Sequence, residues 1–278
     1  MEQRARVLID CLDKKGLVYK ISKIFYDLDL NIVSNQEFVD KDNGHFFMRS
    51  VITGNFKIKN LTNKLNQEIG DNANIKIIPP KKKNIILMAT KESHALGDIL
   101  IRYLDNEIDA NIVAVISNRE NLKSLVERFN IPFIFICADN ISREIHEDMV
   151  LKELKQYNFD YIILAKYMRI LTPKFVSYYE GKIINIHHSF LPAFIGANPY
   201  KQAFERGVKI IGATAHFVTN DLDEGPIITQ DVISINHRYD WRDMQQAGKD
   251  VEKIVLSRAL KLVLEDRVFI NNNKTVVF

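Results

Sequence analysis

Two separated segments carry the side chains with the clearest chemical potential. Asn185 and His187 end an apolar run, "GKIINIHH", at positions 181–188. Alternate side chains of an extended strand share a face, so these two should point the same way, with His188 on the opposite face. A neutral amide and an imidazole side by side can both bind one carbonyl oxygen and stabilise an oxyanion there. Taken alone, however, an Asn-x-His more often marks a histidine satisfied within a protein core.

The second segment, "GATAHFVTNDLDEGPIITQD", supplies acidic groups. His216 ends an apolar run and precedes a tight loop with Asp221, Asp223 and Glu224. Such a loop alone is typical of a solvated turn. A carboxylate brought close to an imidazole and an amide would, however, provide proton transfer for a reaction at a carbonyl group.

The composition narrows the class of protein. The chain has 278 residues, 46% apolar and 26% charged, with a net charge of +3. These values are typical of a globular protein with a substantial core and do not indicate a nucleic-acid partner. Two cysteines, Cys11 and Cys137, provide neither a disulfide framework nor metal-ligand spacing. We therefore expect a cytoplasmic protein with no metal, no membrane partner and no nucleic-acid partner.

The pattern of apolar residues changes near residue 80. Residues 1–78 predict the order βαββαβ, and Pro79-Pro80 followed by three lysines indicates a linker. Beyond it, nearly continuous apolar strands alternate with helices, which is typical of a buried parallel sheet. We predict an α/β protein with an N-terminal ferredoxin-like domain, 1–80, and a Rossmann-like, mostly parallel catalytic domain, 81–278. Ligands bind beyond the carboxyl ends of such strands.

Together, "NIHHSFLPAF", "TAHFV", "LDEGPII" and "LAKYMRILTP" resemble the folate-dependent formyltransferase family. The resemblance implies a catalytic trio of Asn185, His187 and Asp223, with Asp223 in the family's place seven positions beyond His216. It also implies a pterin-binding loop, and Arg169 could either contact the glutamate tail or be a plain surface residue. The remaining substrate-binding residues that we predict are Met168, Arg169, Ile170, Leu171, Lys91, His94, His216 and Gly196.

The segment Met88 to Leu100, "MATKESHALGDIL", lacks the glycine-rich phosphate loop of the purine-pathway transferases. It resembles instead the formyltetrahydrofolate deformylases, and this likeness extends over essentially the whole chain. The resemblance implies hydrolysis of 10-formyltetrahydrofolate to formate and tetrahydrofolate without a cofactor, which supplies formate for purine biosynthesis and balances one-carbon pools. A formyltransferase with an amine acceptor is the alternative. Arg119, where the family usually has histidine, has no assigned role.

The N-terminal βαββαβ segment with "DKKGLV" resembles an ACT domain. This resemblance implies a homo-oligomer and an amino-acid effector near Asp13, Gly16 and Leu17. A purely architectural dimerisation domain is the alternative. A third hypothesis is a catalytically silent amino-acid sensor, against which the intact trio argues.

Overall fold

The computed structural model describes residues 3–70, 72–193 and 199–278 and divides into two compact units. The first unit contains the residues up to Lys81 together with Asp266–Phe269 and Val276–Phe278. The second contains Lys82–Glu265 and Ile270–Thr275. The sequence-based division into 1–80 and 81–278 assigns all the C-terminal residues to the second domain, because a boundary drawn along the chain cannot anticipate a return to the first.

The first unit has the predicted βαββαβ order. Its strands pair in the order β2-β3-β1-β4, and all of these pairs are antiparallel. The elements are β1 (Gln3–Leu12), α1 (Leu17–Asp27), β2 (Asn31–Asp40), β3 (His45–Gly54), α2 (Ile58–Ile69) and β4 (Asn74–Ile78).

Both helices of this unit cover one face of the sheet because their apolar residues recur at helical spacing. Ile21 and Phe25 of α1 and Leu61 and Leu65 of α2 are fully buried in one cluster with Met48 of β3.

Residues from the end of the chain complete the first unit. Phe269 packs against Phe47, with ring centroids 5.6 Å apart, in a cluster that includes Leu8. Arg6 donates a hydrogen bond of 2.9 Å to the Asp266 carboxylate, across 260 positions of sequence.

The second unit contains one seven-stranded sheet with helices, and the residues of the C-terminal hairpin that follows belong partly to each unit. Its elements are β5 (Lys83–Ala89), α3 (His94–Leu104), β6 (Ala110–Ser117), α4 (Lys123–Glu127), β7 (Phe133–Phe135), α5 (Arg143–Leu154), β8 (Tyr161–Leu164), α6 (Pro173–Tyr178), β9 (Ile183–His187), α7 (Pro199–Arg206), β10 (Ile210–Phe217), β11 (Ile227–Ser234) and α8 (Trp241–Leu264). The hairpin strands are β12 (Val268–Asn271) and β13 (Lys274–Val277).

The strand order β11-β10-β9-β8-β5-β6-β7 confirms the predicted, mostly parallel sheet. Strands β5 to β9 are mutually parallel, whereas β10 pairs antiparallel with both β9 and β11. The carboxyl ends of the parallel strands therefore meet at one edge of the sheet. In the part of the chain that the structure describes, no helix combines the length and apolarity needed to span a membrane.

Candidate active site

A cavity of about 330 Å³ lies at the carboxyl ends of β8 and β9. The segment between β8 and α6 forms one wall and the loop between β10 and β11 forms another. Asn185, His187, His216 and Asp223 all line it, so the structure brings together the two segments singled out in the sequence.

Asn185 is oriented by His216, its neighbour across the β9–β10 pair. His216 Nδ1 donates to the Phe217 carbonyl oxygen at 2.9 Å, which leaves Nε2 as an acceptor. Asn185 Nδ2 donates to that nitrogen at 3.3 Å. Burial lowers the pKa of His216, which keeps the ring neutral and in this tautomer. The second amide hydrogen of Asn185 remains available to a ligand in the cavity.

His187 and Asp223 form the other half of the arrangement. Their Nδ1 and Oδ1 atoms are 3.2 Å apart, and Oδ1 is 3.8 Å from His216 Nε2. Burial opposes ionisation of Asp223, but the hydrogen bond from His187 and the nearby imidazoles outweigh it and hold the pKa of Asp223 below its ordinary value. His187 Nε2 is buried and has no hydrogen-bond partner among the described residues. That nitrogen is therefore free to bind a ligand atom.

The acidic loop holds Asp223 in an unusual backbone conformation. Its φ of 58° lies in the left-handed region, which non-glycine residues rarely adopt and which is often found at functional sites. The base of the loop is closed by the Phe217 amide, which donates to the Pro226 carbonyl oxygen at 2.9 Å. Gly225 fits inside this closure only because it has no side chain: a Cβ there would lie 1.8 Å from the Phe217 oxygen.

We expect Gly225→Ala to lower kcat/KM on the order of a hundredfold. The new methyl group must displace the backbone that carries Asp223, and shifts of about 1 Å at a catalytic group have effects of this size. Steady-state kinetics would measure it. Gly97→Ala is the matched control: its Cβ would meet nothing nearer than Leu125 at 3.9 Å, so activity should be unchanged. Near-normal activity of Gly225→Ala would show that the closure does not position Asp223.

The segment 168–172 is fixed at both ends by hydrogen bonds to side chains outside it, and one of these, Glu147, was not indicated by the sequence. At one end, the Met168 amide donates to Thr90 Oγ1 at 2.9 Å. At the other, the Thr172 amide and hydroxyl both donate to the buried Glu147 carboxylate, the amide at 2.8 Å. Thr172 also caps α6. The backbone of this segment is therefore preorganised to present its peptide groups to a ring system.

Apolar side chains form the rim of the cavity. Met168, Ile170 and Leu222 line it and yet are 57%, 48% and 50% exposed. Exposed apolar side chains around a concave site with a few polar groups are typical of a ligand-binding pocket. Leu171 and Arg169 also line this cavity.

Other predicted residues lie elsewhere. His94 Nε2 is 2.8 Å from Glu252 Oε2, and neither His94 nor Lys91 lines the cavity among the residues described. Gly196 lies outside the described residues. Arg119 forms an ion pair with Asp139.

His188 was expected on the face opposite to Asn185 and His187. Because β9 ends at His187, strand alternation does not extend to His188, and His188 lines the same cavity as the other two residues.

In the first unit, Gly16 precedes α1 with a φ of 86° and lines a separate cavity of about 350 Å³. Leu17 is buried in the core, and Asp13 is exposed in the preceding loop. Tyr19, Lys20, Lys23, Ile24, Asp27 and Glu68 complete the lining of this cavity. Of the three residues predicted near an effector, Gly16 lines this cavity, whereas Asp13 and Leu17 do not.

Comparison with known proteins agrees with this architecture. Residues 83–260 match the family described as formyl transferase, and residues 5–70 match the ACT domain. The formyltetrahydrofolate deformylase of Haemophilus influenzae is 51% identical over the full length of both chains. The crystal structure of a formyltetrahydrofolate deformylase from Pseudomonas syringae pv. tomato superposes with a TM-score of 0.95 at 41% identity, covering 100% of this chain and 95% of that one.

A glycinamide ribonucleotide transformylase from Symbiobacterium toebii superposes with a TM-score of 0.68 at 28% identity and covers only 71% of this chain, against 94% of its own. The fold and the site thus define an enzyme of the formyl transferase class joined to an ACT domain. The full-length similarity is with the hydrolytic members, and the chain belongs to the formyltetrahydrofolate deformylase family.

Proposed function

We propose that this protein hydrolyses 10-formyltetrahydrofolate to formate and tetrahydrofolate. The observation that carries the proposal is the pairing of His187 with Asp223. The Nε2 atom of His187 has no partner among the described residues and lies in the same cavity, with its apolar rim, as the Asn185 side chain. Membership of the deformylase family supplies the substrate and favours water over an amine as the acceptor.

The proposed reaction begins when water attacks the formyl carbon. The carbonyl oxygen becomes an oxyanion, and Asn185 Nδ2–H and His187 Nε2–H donate to it. His187 donates in this way when its ring carries both protons, and Asp223 then accepts the hydrogen bond from Nδ1. Donors held in place before the reaction stabilise the developing charge without the cost of reorienting solvent.

Asp223 then relays a proton from the attacking water to N10 of the folate. A carboxylate whose pKa is below its ordinary value is a weak base, but the water becomes strongly acidic as its bond to carbon forms. Protonation lets N10 leave as a neutral amine when the C–N bond breaks. The other product, formic acid, loses its proton to give formate. The reaction as written uses no cofactor.

The pterin ring would lie against the backbone of residues 168–172, and the rim formed by Met168, Ile170 and Leu222 would contact its faces. Two anchors support this arrangement, Thr90 and Glu147, because they fix the segment before the substrate arrives. Arg169 lines the same cavity and would meet the anionic glutamate tail.

For the first unit we propose an amino-acid effector and a homo-oligomeric assembly. Two ion pairs line the cavity beside Gly16, Lys20–Glu68 at 3.1 Å and Lys23–Asp27 at 2.6 Å, and a free amino acid carries the same two opposite charges. We also propose a cytoplasmic location, because Cys11 and Cys137 are both free thiols. Sedimentation velocity with and without amino acids would test the assembly and its response.

The deciding experiment measures formate release from 10-formyltetrahydrofolate by the purified protein with no amine present. We expect stoichiometric formate and tetrahydrofolate over many turnovers. Formate that appears only after an amine is added would favour a transferase. Calorimetry beside the assay separates a third case: folate binding without turnover would identify a silent sensor.

A further inference from the structure

A second cavity of about 530 Å³ adjoins the candidate active site. Three residues, Lys166, Met168 and His188, line both cavities and form the partition between them. The remaining lining residues that the structure describes are Glu92, Pro199, Tyr200, Lys201, Trp241, Gln245, Lys249 and Glu252. The proposed position of the folate leaves this second cavity free.

A buried carboxylate organises one wall of the second cavity. Glu252, on α8, is 1% exposed and accepts hydrogen bonds from the Tyr200 hydroxyl at 2.8 Å and, at the same distance, from His94 Nε2. Lys166 Nζ is 3.2 Å from the same carboxylate. Burial opposes ionisation of Glu252, but His94 and Lys166 outweigh it and lower its pKa to about 2. Glu252 is thus an anion at neutral pH, and each of its two carboxylate oxygens accepts a hydrogen bond.

Lys166 is the cation held by this carboxylate. It follows β8 in the left-handed region, with a φ of 64°, and its side chain is only 4% exposed. An ammonium group has three donors, and Glu252 is the only partner of Lys166 among the described residues. Two donors therefore remain for a ligand. The neighbouring His188 does not compete for an anion at neutral pH, because burial and then Lys166 lower its pKa to about 4.

Hydrolysis requires water to reach the formyl carbon while the folate occupies the first cavity, and the formate produced must then leave. Formate forms beside the Asp223 carboxylate, which repels it. The partition offers the opposite charge, a buried ammonium that reaches both cavities. Although Glu252 balances its charge, Lys166 keeps N–H donors that the carboxylate does not use, and hydrogen bonds from an ammonium to an anion are among the strong ones in proteins.

We propose that the second cavity is the product chamber of this enzyme, in which Lys166, held by Glu252, binds formate after it leaves the reacting centre. The inference rests on the proposed hydrolysis, because it takes formate as the product. It also assigns Glu252 as a positioning residue, since it acts on the product only through Lys166.

Binding of ¹³C-labelled formate to the enzyme in the presence of tetrahydrofolate, followed by NMR line broadening, tests the proposal without turnover. The test variant is Lys166→Met combined with Glu252→Gln, which removes the cation and the anion together and leaves no buried charge unpaired. We expect its formate affinity to be at least tenfold weaker, measured at tetrahydrofolate concentrations that calorimetry shows to be saturating for each protein. The matched control is Lys174→Met with Asp148→Asn, an exposed pair 2.6 Å apart on α5 and α6, which should bind formate normally.

Two outcomes of the NMR experiment overturn the proposal: no line broadening with the wild-type protein, or equal formate affinity in the wild type and the test variant. If the test variant fails to fold, inhibition kinetics of the wild-type enzyme still test the proposal. Added formate should inhibit noncompetitively against 10-formyltetrahydrofolate, because the two occupy different cavities; competitive inhibition would place formate in the folate pocket and contradict the chamber. If the protein did not hydrolyse 10-formyltetrahydrofolate at all, the assay of formate release without an amine would show this independently.

Discussion

Asp223→Asn should reduce kcat for formate release at least about a hundredfold and leave the folded structure intact. Asparagine has nearly the same size and tolerates the left-handed backbone of this position, so the loop should keep its shape. What is lost is the carboxylate that accepts the hydrogen bond from His187 and relays the proton to N10. Steady-state formate release would measure the loss, with circular dichroism as the check on folding.

Glu224→Gln is the matched control for this prediction. Glu224 is adjacent in the same loop but exposed, and it does not line the cavity. The same loss of one negative charge there should change kcat less than about threefold. Equal losses of kcat in the two variants would show that the charge of the loop matters rather than the position of Asp223. That result would contradict the proton relay through Asp223.

His187→Ala should also lower kcat at least about a hundredfold, with KM for the folate changed less than about threefold. The substitution removes one of two donors to the oxyanion, which forms only during the reaction, so the loss should appear in kcat. The pterin contacts lie elsewhere in the pocket and should keep KM near its wild-type value.

His187→Gln separates the lost donor from lost packing. The glutamine amide can extend toward the position of Nε2 and should recover part of the activity that alanine loses. If glutamine and alanine were equally impaired while both remained folded, a simple donor role for His187 would be contradicted. A large rise in KM in either variant would show that His187 contacts the ground-state substrate.

The sequence predicted the architecture of the second unit well because its signals are local. Nearly continuous apolar runs such as 84–89 and 161–164 indicate strands buried on both faces, and the structure has them as parallel β5 and β8. The apolar spacing of residues 122–130 predicts a helix over that stretch, but α4 spans only Lys123–Glu127, and Asn130 has a φ of 55°. After Glu127 the Phe129 and Asn130 amides donate to carbonyl oxygens three positions back, a tighter turn that apolar spacing does not encode.

The candidate site was predictable to a smaller degree. Strand alternation placed Asn185 and His187 on one face, but only the family resemblance selected Asp223 over Asp221. The role of His216 as the acceptor that orients Asn185 depends on pairing between β9 and β10, which no local pattern encodes. Glu252 did leave a signal: it is a carboxylate on the same helical face as Val255, Leu256 and Ala259, all buried, and such a group requires buried partners.

The return of the chain to the first unit bears on whether this domain can be reused in other proteins. A fragment cut at the linker after Lys81 would leave Leu8 and Phe47 without Phe269, and Arg6 without the Asp266 carboxylate. Grafting this ACT domain onto an unrelated enzyme would therefore transfer an incomplete core. A transferred domain that remains soluble would need replacements for the Phe269 ring and the Asp266 carboxylate, supplied by a second segment that is separate in sequence from the rest of the domain.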